Sequence, residues 1–282
     1  MRVLVFGKTG QVARELQRYG GVTALSRADA DLSDPAACAV IIAETEADVV
    51  INAAAYTAVD AAETDTDMAY RVNSEAPAAM AKAAAKRALP FLHISTDYVF
   101  DGSGTHAWVE DNATGPLGVY GASKLAGEDS ARAAGGPHAI LRTSWVVSAH
   151  GNNFVKTMLR LGTERDALNI VANQIGGPTC ARDIAATLMG MAEQFRNDAN
   201  KSGTYHFAGA PNVSWADFAR EIFKQAGLEC AVTDIPSSAY PTPAARPANS
   251  RLDCTRLATV FDITRPDWRI GLADIISDLK VD

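Results

Sequence analysis

A short apolar run, Val3-Leu4-Val5-Phe6, passes directly into Gly7-Lys8-Thr9-Gly10-Gln11-Val12-Ala13, and the residues beyond take up helical spacing. A strand that turns through glycines into a helix is the opening of a βαβ unit, which commits the chain to an α/β architecture with a parallel sheet. Glycine at the turn tolerates unusual backbone angles, and glycine at the helix start lets a pyrophosphate approach the N–H groups at the positive end of the helix. Gly7 and Gly10 thus point to a dinucleotide, with a plain tight turn as the alternative. The spacing is G-x-x-G-x-x-A, and Ala13 is small enough for close helix-sheet contact.

Alternation continues downstream. Buried strands are predicted at 3–6, 22–25, 49–52, 91–95 and 139–142, with helices at 11–19, 34–43, 67–87 and 120–134, many of them alanine-rich. After Trp145 the pattern mixes: a helix near 153–161, a strand near 168–171, a helix at 181–195, a strand at 205–208 and a helix at 215–226. Pro236, Pro241, Pro243 and Pro247 require an extended or looped segment. The fold class expected is α/β: a Rossmann-type doubly wound parallel sheet with a smaller α/β substrate-binding lobe over the carboxyl ends of the strands, where such sheets bind ligands. The dinucleotide domain is expected over 1–148 plus about 167–196, and the lobe over about 149–166 and 197–282.

Composition narrows the function. With 282 residues, 48% hydrophobic and 21% charged, the chain is neither a disordered tail nor a disulfide-stapled miniprotein. Lys plus Arg total 26 against 33 Asp plus Glu, for a net charge of -7, so no nucleic-acid partner is expected and an anionic ligand needs local cations. Cys38, Cys180, Cys230 and Cys254 form no C-x-x-C pair and have no His at ligand spacing; they read as core filler in a reducing compartment, with no metal expected. No run approaches the roughly 18 apolar residues of a membrane span, and the opening residues do not read as a signal peptide, so a cytoplasmic location is expected.

Two further features sharpen the ligand and the chemistry. The second strand ends Leu25-Ser26-Arg27, without the carboxylate that would chelate the ribose hydroxyls of NAD; Arg27 suits a 2'-phosphate instead, which favours NADPH while leaving NADH possible. Tyr120 and Lys124, four residues apart, lie on one helix face. A fixed cation beside a phenol of ordinary pKa near ~10 favours its anion and makes it a better proton donor and acceptor. Ser95 and Thr96 close another strand at the carboxyl edge, where a hydroxyl can bond to a substrate oxygen.

These pieces together resemble the extended short-chain dehydrogenase/reductase superfamily and, within it, the dTDP-4-dehydrorhamnose reductase family. The resemblance runs from Gly7 to about Trp268. Its most specific stretches are Phe6-Gly7-Lys8-Thr9-Gly10-Gln11-Val12, Asn52-Ala53-Ala54-Ala55-Tyr56-Thr57-Ala58-Val59-Asp60, Ser95-Thr96-Asp97-Tyr98-Val99-Phe100, Arg142-Thr143-Ser144-Trp145-Val146, Gly151-Asn152-Asn153-Phe154, Tyr240-Pro241-Thr242-Pro243 and Arg246-Pro247-Ala248-Asn249-Ser250-Arg251-Leu252. It implies that Tyr120 is the catalytic acid, that Lys124 holds the nicotinamide ribose and tunes Tyr120, and that Thr96 sits beside the substrate carbonyl. It further implies that Gly10, Gln11 and Val12 meet the pyrophosphate, that Asp31 and Leu32 flank the adenine, and that Ala55, Tyr56 and Thr57 line the cofactor cleft. Asp97 and Trp145 match the family's sugar-nucleotide contacts. An indole at a strand's end can stack on a sugar ring, although core packing is the commoner use of such a tryptophan.

Where some members bridge dimers through a metal and acidic side chains, this chain reads Cys180-Ala181-Arg182-Asp183, so no structural metal is expected and either a monomer or a homodimer is open. Arg246 lies in an otherwise uncharged loop; it reads as a bidentate clamp for the diphosphate of a nucleotide sugar, or else as part of an exposed basic loop. The activity expected is reduction by NADPH of a dTDP-linked keto sugar, dTDP-4-dehydro-6-deoxy-L-mannose, to dTDP-L-rhamnose. The alternatives are reduction of another nucleotide-linked 4-keto-6-deoxy sugar, or a non-catalytic NADP-binding regulatory subunit.

Overall fold

The computed structural model describes residues 1–281. Its centre is a six-stranded sheet built from β1 (Val3–Phe6), β2 (Val22–Leu25), β3 (Val49–Asn52), β4 (Phe91–Thr96), β5 (His138–Thr143) and the strand Gly203–His206. The order is β2-β1-β3-β4-β5 with Gly203–His206 outside β5, and every pairing is parallel. Along this stretch the chain winds through α1 (Gln11–Leu16), α2 (Pro35–Glu44), α3 (Val59–Ala62), α4 (Thr66–Tyr70), α5 (Ala76–Lys86) and α6 (Val119–Ala133). Beyond β5 come α7 (Phe154–Glu164), α8 (Ala181–Asn197), α9 (Trp215–Ala226), α10 (Thr255–Phe261) and α11 (Trp268–Val281).

The pleat sorts the strand residues onto two faces. Val3, Val5, Val49, Ile51, Leu92 and Leu141 face one side, where Leu16 of α1, Ile184 and Leu188 of α8 and Leu257 and Phe261 of α10 cover them. Leu4, Phe6, Val50, Phe91 and Ile140 face the other, under Ile42 of α2, Met80 of α5 and Ala131 of α6. Because both faces are buried at the sheet's centre, β1 and the first three residues of β3 are continuously apolar and not alternating, as a parallel sheet requires. The chain leaves β1 toward β2 on one side and returns to β3 on the other, so a crevice opens at the carboxyl ends of β1 and β3.

A separate apolar cluster joins Val155 and Met158 of α7, Phe218 and Ile222 of α9, and Trp268, Leu272 and Ile275 of α11. A parallel pair, Ala167–Val171 with Ala231–Ile235, lies along it. The segment boundaries expected from sequence need correction in two places. Strand 167–171, expected in the nucleotide domain, packs Leu168 and Ile170 into this second cluster. Gly203–His206, expected in the lobe, pairs with β5 at the edge of the main sheet, and α10 packs on that sheet as well.

The single helix expected over 67–87 is instead α4, a π-helical turn at Arg71–Glu75, and α5. Pro77 lies in the first turn of α5, and a proline there has no N–H to give and would crowd the carbonyl one turn back. The wider turn accommodates it. Among the described residues, no helix is long and apolar enough to cross a membrane. The four cysteines are unpaired and buried, as core filler should be.

Candidate functional site

The crevice holds about 880 Å³ and is walled by the glycine turn, the ends of β2 to β5 and the start of α6. Gly7 adopts φ +108, and a Cβ there would lie 3.0 Å from the Ala54 nitrogen and 3.1 Å from the Ala53 carbonyl oxygen. The turn therefore excludes side chains on conformational and steric grounds alike. Gly10 caps α1, and Gln11, Val12 and Ala13 follow with the unpaired N–H groups of a helix's first turn. The Gln11 side chain is occupied: its Oε1 accepts from Ser148 Oγ at 2.8 Å and Asn153 Nδ2 at 3.0 Å, pinning the turn to the Gly151-Asn152-Asn153 loop.

The expected cofactor residues Gly7, Gly10, Gln11, Val12, Arg27, Asp31, Leu32, Ala55, Tyr56 and Thr57 all line this crevice. Arg27 is exposed, and its Nε donates to Asp31 Oδ2 at 3.2 Å; Asp31 also accepts from the Ser33 backbone, which draws its carboxyl below the usual range. Asn73, which the sequence did not mark, fixes the opposite wall. Projected by the π-helical turn, its Oδ1 accepts from the Tyr56 N–H at 2.8 Å while Nδ2 donates to the Tyr56 carbonyl and to Ser123 Oγ, both at 3.1 Å. One buried amide thus ties the 53–57 loop to α6. The only prior signal was a polar residue within an alanine-rich helical stretch.

Thr96, Tyr120 and Lys124 come together on the crevice wall. Thr96 ends β4, where its Oγ1 caps the short 3-10 turn Asp97–Val99 by accepting from the Tyr98 N–H at 3.2 Å. Gly121 lets α6 seat against that turn: a Cβ there would lie 2.2 Å from the Tyr98 carbonyl oxygen. The Tyr120 ring meets Tyr98 edge-on at 5.4 Å. Burial pushes the Tyr120 phenol up to about 12, opposed by hydrogen bonding to Thr96 and assisted by the Asp97 charge. Lys124, one turn along α6 from Tyr120, reaches back to β4: its Nζ donates to the Ile94 carbonyl at 2.7 Å and lies 3.2 Å from His93 Nε2. Its own pKa falls to about 8 because burial disfavours the ammonium, with Glu128 pulling the other way.

Asp97 is buried and raised to about 6 by that burial, against the opposing pull of the Ser250 and Thr96 hydroxyls. Thr96 Oγ1 donates to its Oδ1 at 3.2 Å, while Oδ2 has no partner in hydrogen-bond geometry. Ser95 Oγ and Thr143 Oγ1, on neighbouring strands of the same wall, are also buried without partners. Trp145 lines the crevice in a left-handed conformation, φ +50, and its indole stacks on Trp215 with centroids 3.5 Å apart. That face is unavailable to a sugar. Arg246 is not among the residues lining the crevice; its Nη1 and Nη2 donate to Asp60 Oδ1 and Oδ2 at 3.1 and 2.8 Å, so the expected phosphate clamp is already engaged by a carboxylate.

A parallel sheet with a glycine-bounded switch-point crevice and a Thr-Tyr-Lys wall defines an oxidoreductase of the extended short-chain dehydrogenase/reductase type. Within that class, a family model described as the RmlD substrate binding domain matches residues 1–281. The chain is 43% identical over 278 residues to the dTDP-4-dehydrorhamnose reductase of Sinorhizobium fredii, covering 95% of this chain and 94% of that one. It is 41% identical to the dTDP-4-dehydrorhamnose reductase of Salmonella typhimurium, covering 99% and 98% of the two chains. The crystal structure of dTDP-4-dehydrorhamnose reductase from Bacillus anthracis in complex with NADP superposes with a TM-score of 0.91 at 32% identity, covering 98% of this chain and 99% of that one. The chain belongs to the dTDP-4-dehydrorhamnose reductase family.

Proposed function

We propose that this protein reduces dTDP-4-dehydrorhamnose (dTDP-6-deoxy-L-lyxo-4-hexulose) to dTDP-L-rhamnose with NADPH. The observation that carries the reading is the placement of Thr96, Tyr120 and Lys124 on the same crevice wall that runs back to the Gly7 turn. The residues fit the cofactor: Gly7, Gly10, Gln11 and Val12 line the crevice at the start of α1, where a pyrophosphate would meet free N–H groups, and Arg27, Asp31 and Leu32 flank the far end at β2. When bound, the nicotinamide supplies the hydride delivered to C4 of the keto sugar.

The remaining chemistry falls to the chain. Tyr120, held as the neutral phenol by its burial, donates its proton to the C4 oxygen as negative charge develops there. Thr96 Oγ1 provides a second hydrogen bond to that oxygen, exchanging its bond to Asp97 for one to the substrate. Lys124 holds the ribose side of the site. Asp97 and Trp145 border the sugar, the latter with the edge of its indole, since Trp215 covers one face. The second apolar cluster, around α7, α9 and α11, backs the Trp145 side of the site, packing against Trp145 and Trp215.

The test is loss of NADPH absorbance when purified protein meets dTDP- and UDP-linked 4-keto-6-deoxy sugars. Turnover of the dTDP-4-dehydrorhamnose form supports the reading. Binding without turnover of any keto sugar points to a regulatory module and overturns it.

A further inference from the structure

Behind Lys124 lies a chain of buried polar groups that the reaction does not use. His93 on β4 and Asn52 on β3 are both fully buried. Asn52 Nδ2 is 3.1 Å from His93 Nδ1, and His93 Nε2 is 3.2 Å from Lys124 Nζ. The direction of this chain is set at its far end. The Ala54 backbone N–H, which can only donate, bonds to Asn52 Oδ1 at 3.1 Å, so the amide turns its NH₂ group toward the imidazole. His93 Nδ1 must then accept. Full burial holds the ring well below the ordinary histidine range, so it is neutral and carries a single N–H, at Nε2. That N–H points at Lys124 Nζ, and only a neutral amine has a lone pair to receive it.

We infer that His93, oriented by Asn52, is a positioning residue that biases Lys124 toward the neutral amine. Protonating Lys124 sets two donors against each other, either at Nε2 and Nζ or, if the imidazole changes tautomer, at Nδ1 and the Asn52 amide. The proton on Lys124 is therefore coupled through the ring to the Ala53-Ala54 turn that packs against Gly7. The other groups acting on Lys124 are few. On its own helix, Glu128 favours the ammonium, but its carboxylate is shared with Arg142 of β5 and Arg132. Tyr120 on α6 and Asp97 beyond β4 interact with each other. From the π-helical turn packed on α6, Asn73 presents a neutral amide, while Arg71 and Glu75 pair at the surface.

The inference about activity rests on Lys124 taking part in the proposed reduction, but the tautomer does not, so the two can fail separately. Protein labelled with ¹⁵N-histidine contains five histidines, and the His93 signals are identified by their loss in His93→Gln. In the unsubstituted protein at pH 9, His93 should show the Nε2–H tautomer. An Nδ1–H pattern there overturns the inference whatever the activity. Asn52→Asp replaces the NH₂ group with an acceptor, so the ring should turn to Nδ1–H, and the alkaline limb of kcat/KM should move up by at least one pH unit. In Asn52→Asp/His93→Phe that displacement should vanish. A displacement of equal size in the double variant means that the new carboxylate acts directly on Lys124 and not through the ring, and also overturns the inference.

Discussion

The Asp60 carboxylate, in α3 beside the crevice, receives both terminal nitrogens of Arg246, from the proline-rich loop far along the chain. The pair is partly exposed, with side chains 42% and 28% accessible, so its contribution to stability should be modest. Arg246 also donates to the Ala244 carbonyl, and Ala244 N–H to Asp60, so the fork shapes the loop as well as joining it.

Arg246→Ala should cost about 1 kcal/mol or less in urea unfolding, within the range for exposed pairs. Because Arg246 lies at the rim and not on the cofactor-lining wall, the KM for the nucleotide sugar should rise several-fold while that for NADPH stays within twofold. Equal changes in both would place the loop's influence on the cofactor side.

Tyr120→Phe should lower kcat by at least about a hundredfold, the range for an acid that delivers a proton in the transition state, and leave NADPH affinity nearly unchanged. Stopped-flow turnover and fluorescence titration of NADPH on the same preparation separate the two effects. Near-normal turnover would remove Tyr120 from the reaction.

Asn73→Ala should destabilise the protein by about 1–3 kcal/mol, because it strands the buried polar groups of Tyr56 and Ser123 that the amide now satisfies. The 53–57 loop loses its anchor with it. A higher KM for NADPH, accompanied by faster amide exchange at Tyr56, is the expected outcome; unchanged exchange would mean the loop is held by other contacts.

Asp97 gives a pH dependence opposite in sign to that of a salt-bridged carboxylate. Its folded pKa of about 6 exceeds the 3.8 of an ordinary aspartate, so between those values the folded protein binds more protons than the unfolded chain, and stability falls as pH rises through the window. At pH 7 the charged form costs about 3 kcal/mol at most by this measure. Asp97→Asn should therefore gain stability relative to the unsubstituted protein between pH 4 and pH 7. Chemical denaturation at several pH values tests it, and parallel curves would show that the carboxyl is not strained by its burial.

Much of this arrangement could be read from local pattern. The apolar runs of β1 and β3, the glycine turn, and the i, i+4 placement of Tyr120 and Lys124 are short-range features, and the crevice collects the residues they named. What escaped was set by partners distant in sequence. Nothing near Arg246 announces Asp60, and nothing near Gly203–His206 says that its neighbour is β5. The direction of the Lys124 amine depends on His93 and the Ile94 carbonyl, both supplied by another strand. Asn73 escaped because a π-helical turn aims a side chain that a regular helix would point elsewhere.

The late return of the chain to its own sheet has a consequence for how the molecule is made. β5 is synthesised well before α8 and Gly203–His206, and α10, which with α8 seals one face of β1 and β3, follows later still. A nascent chain emerging from the ribosome thus exposes an open sheet edge and a naked apolar face until nearly all of it has been translated, a state prone to association with other chains. Truncation anywhere before α10 should yield aggregates in place of a working nucleotide-binding half.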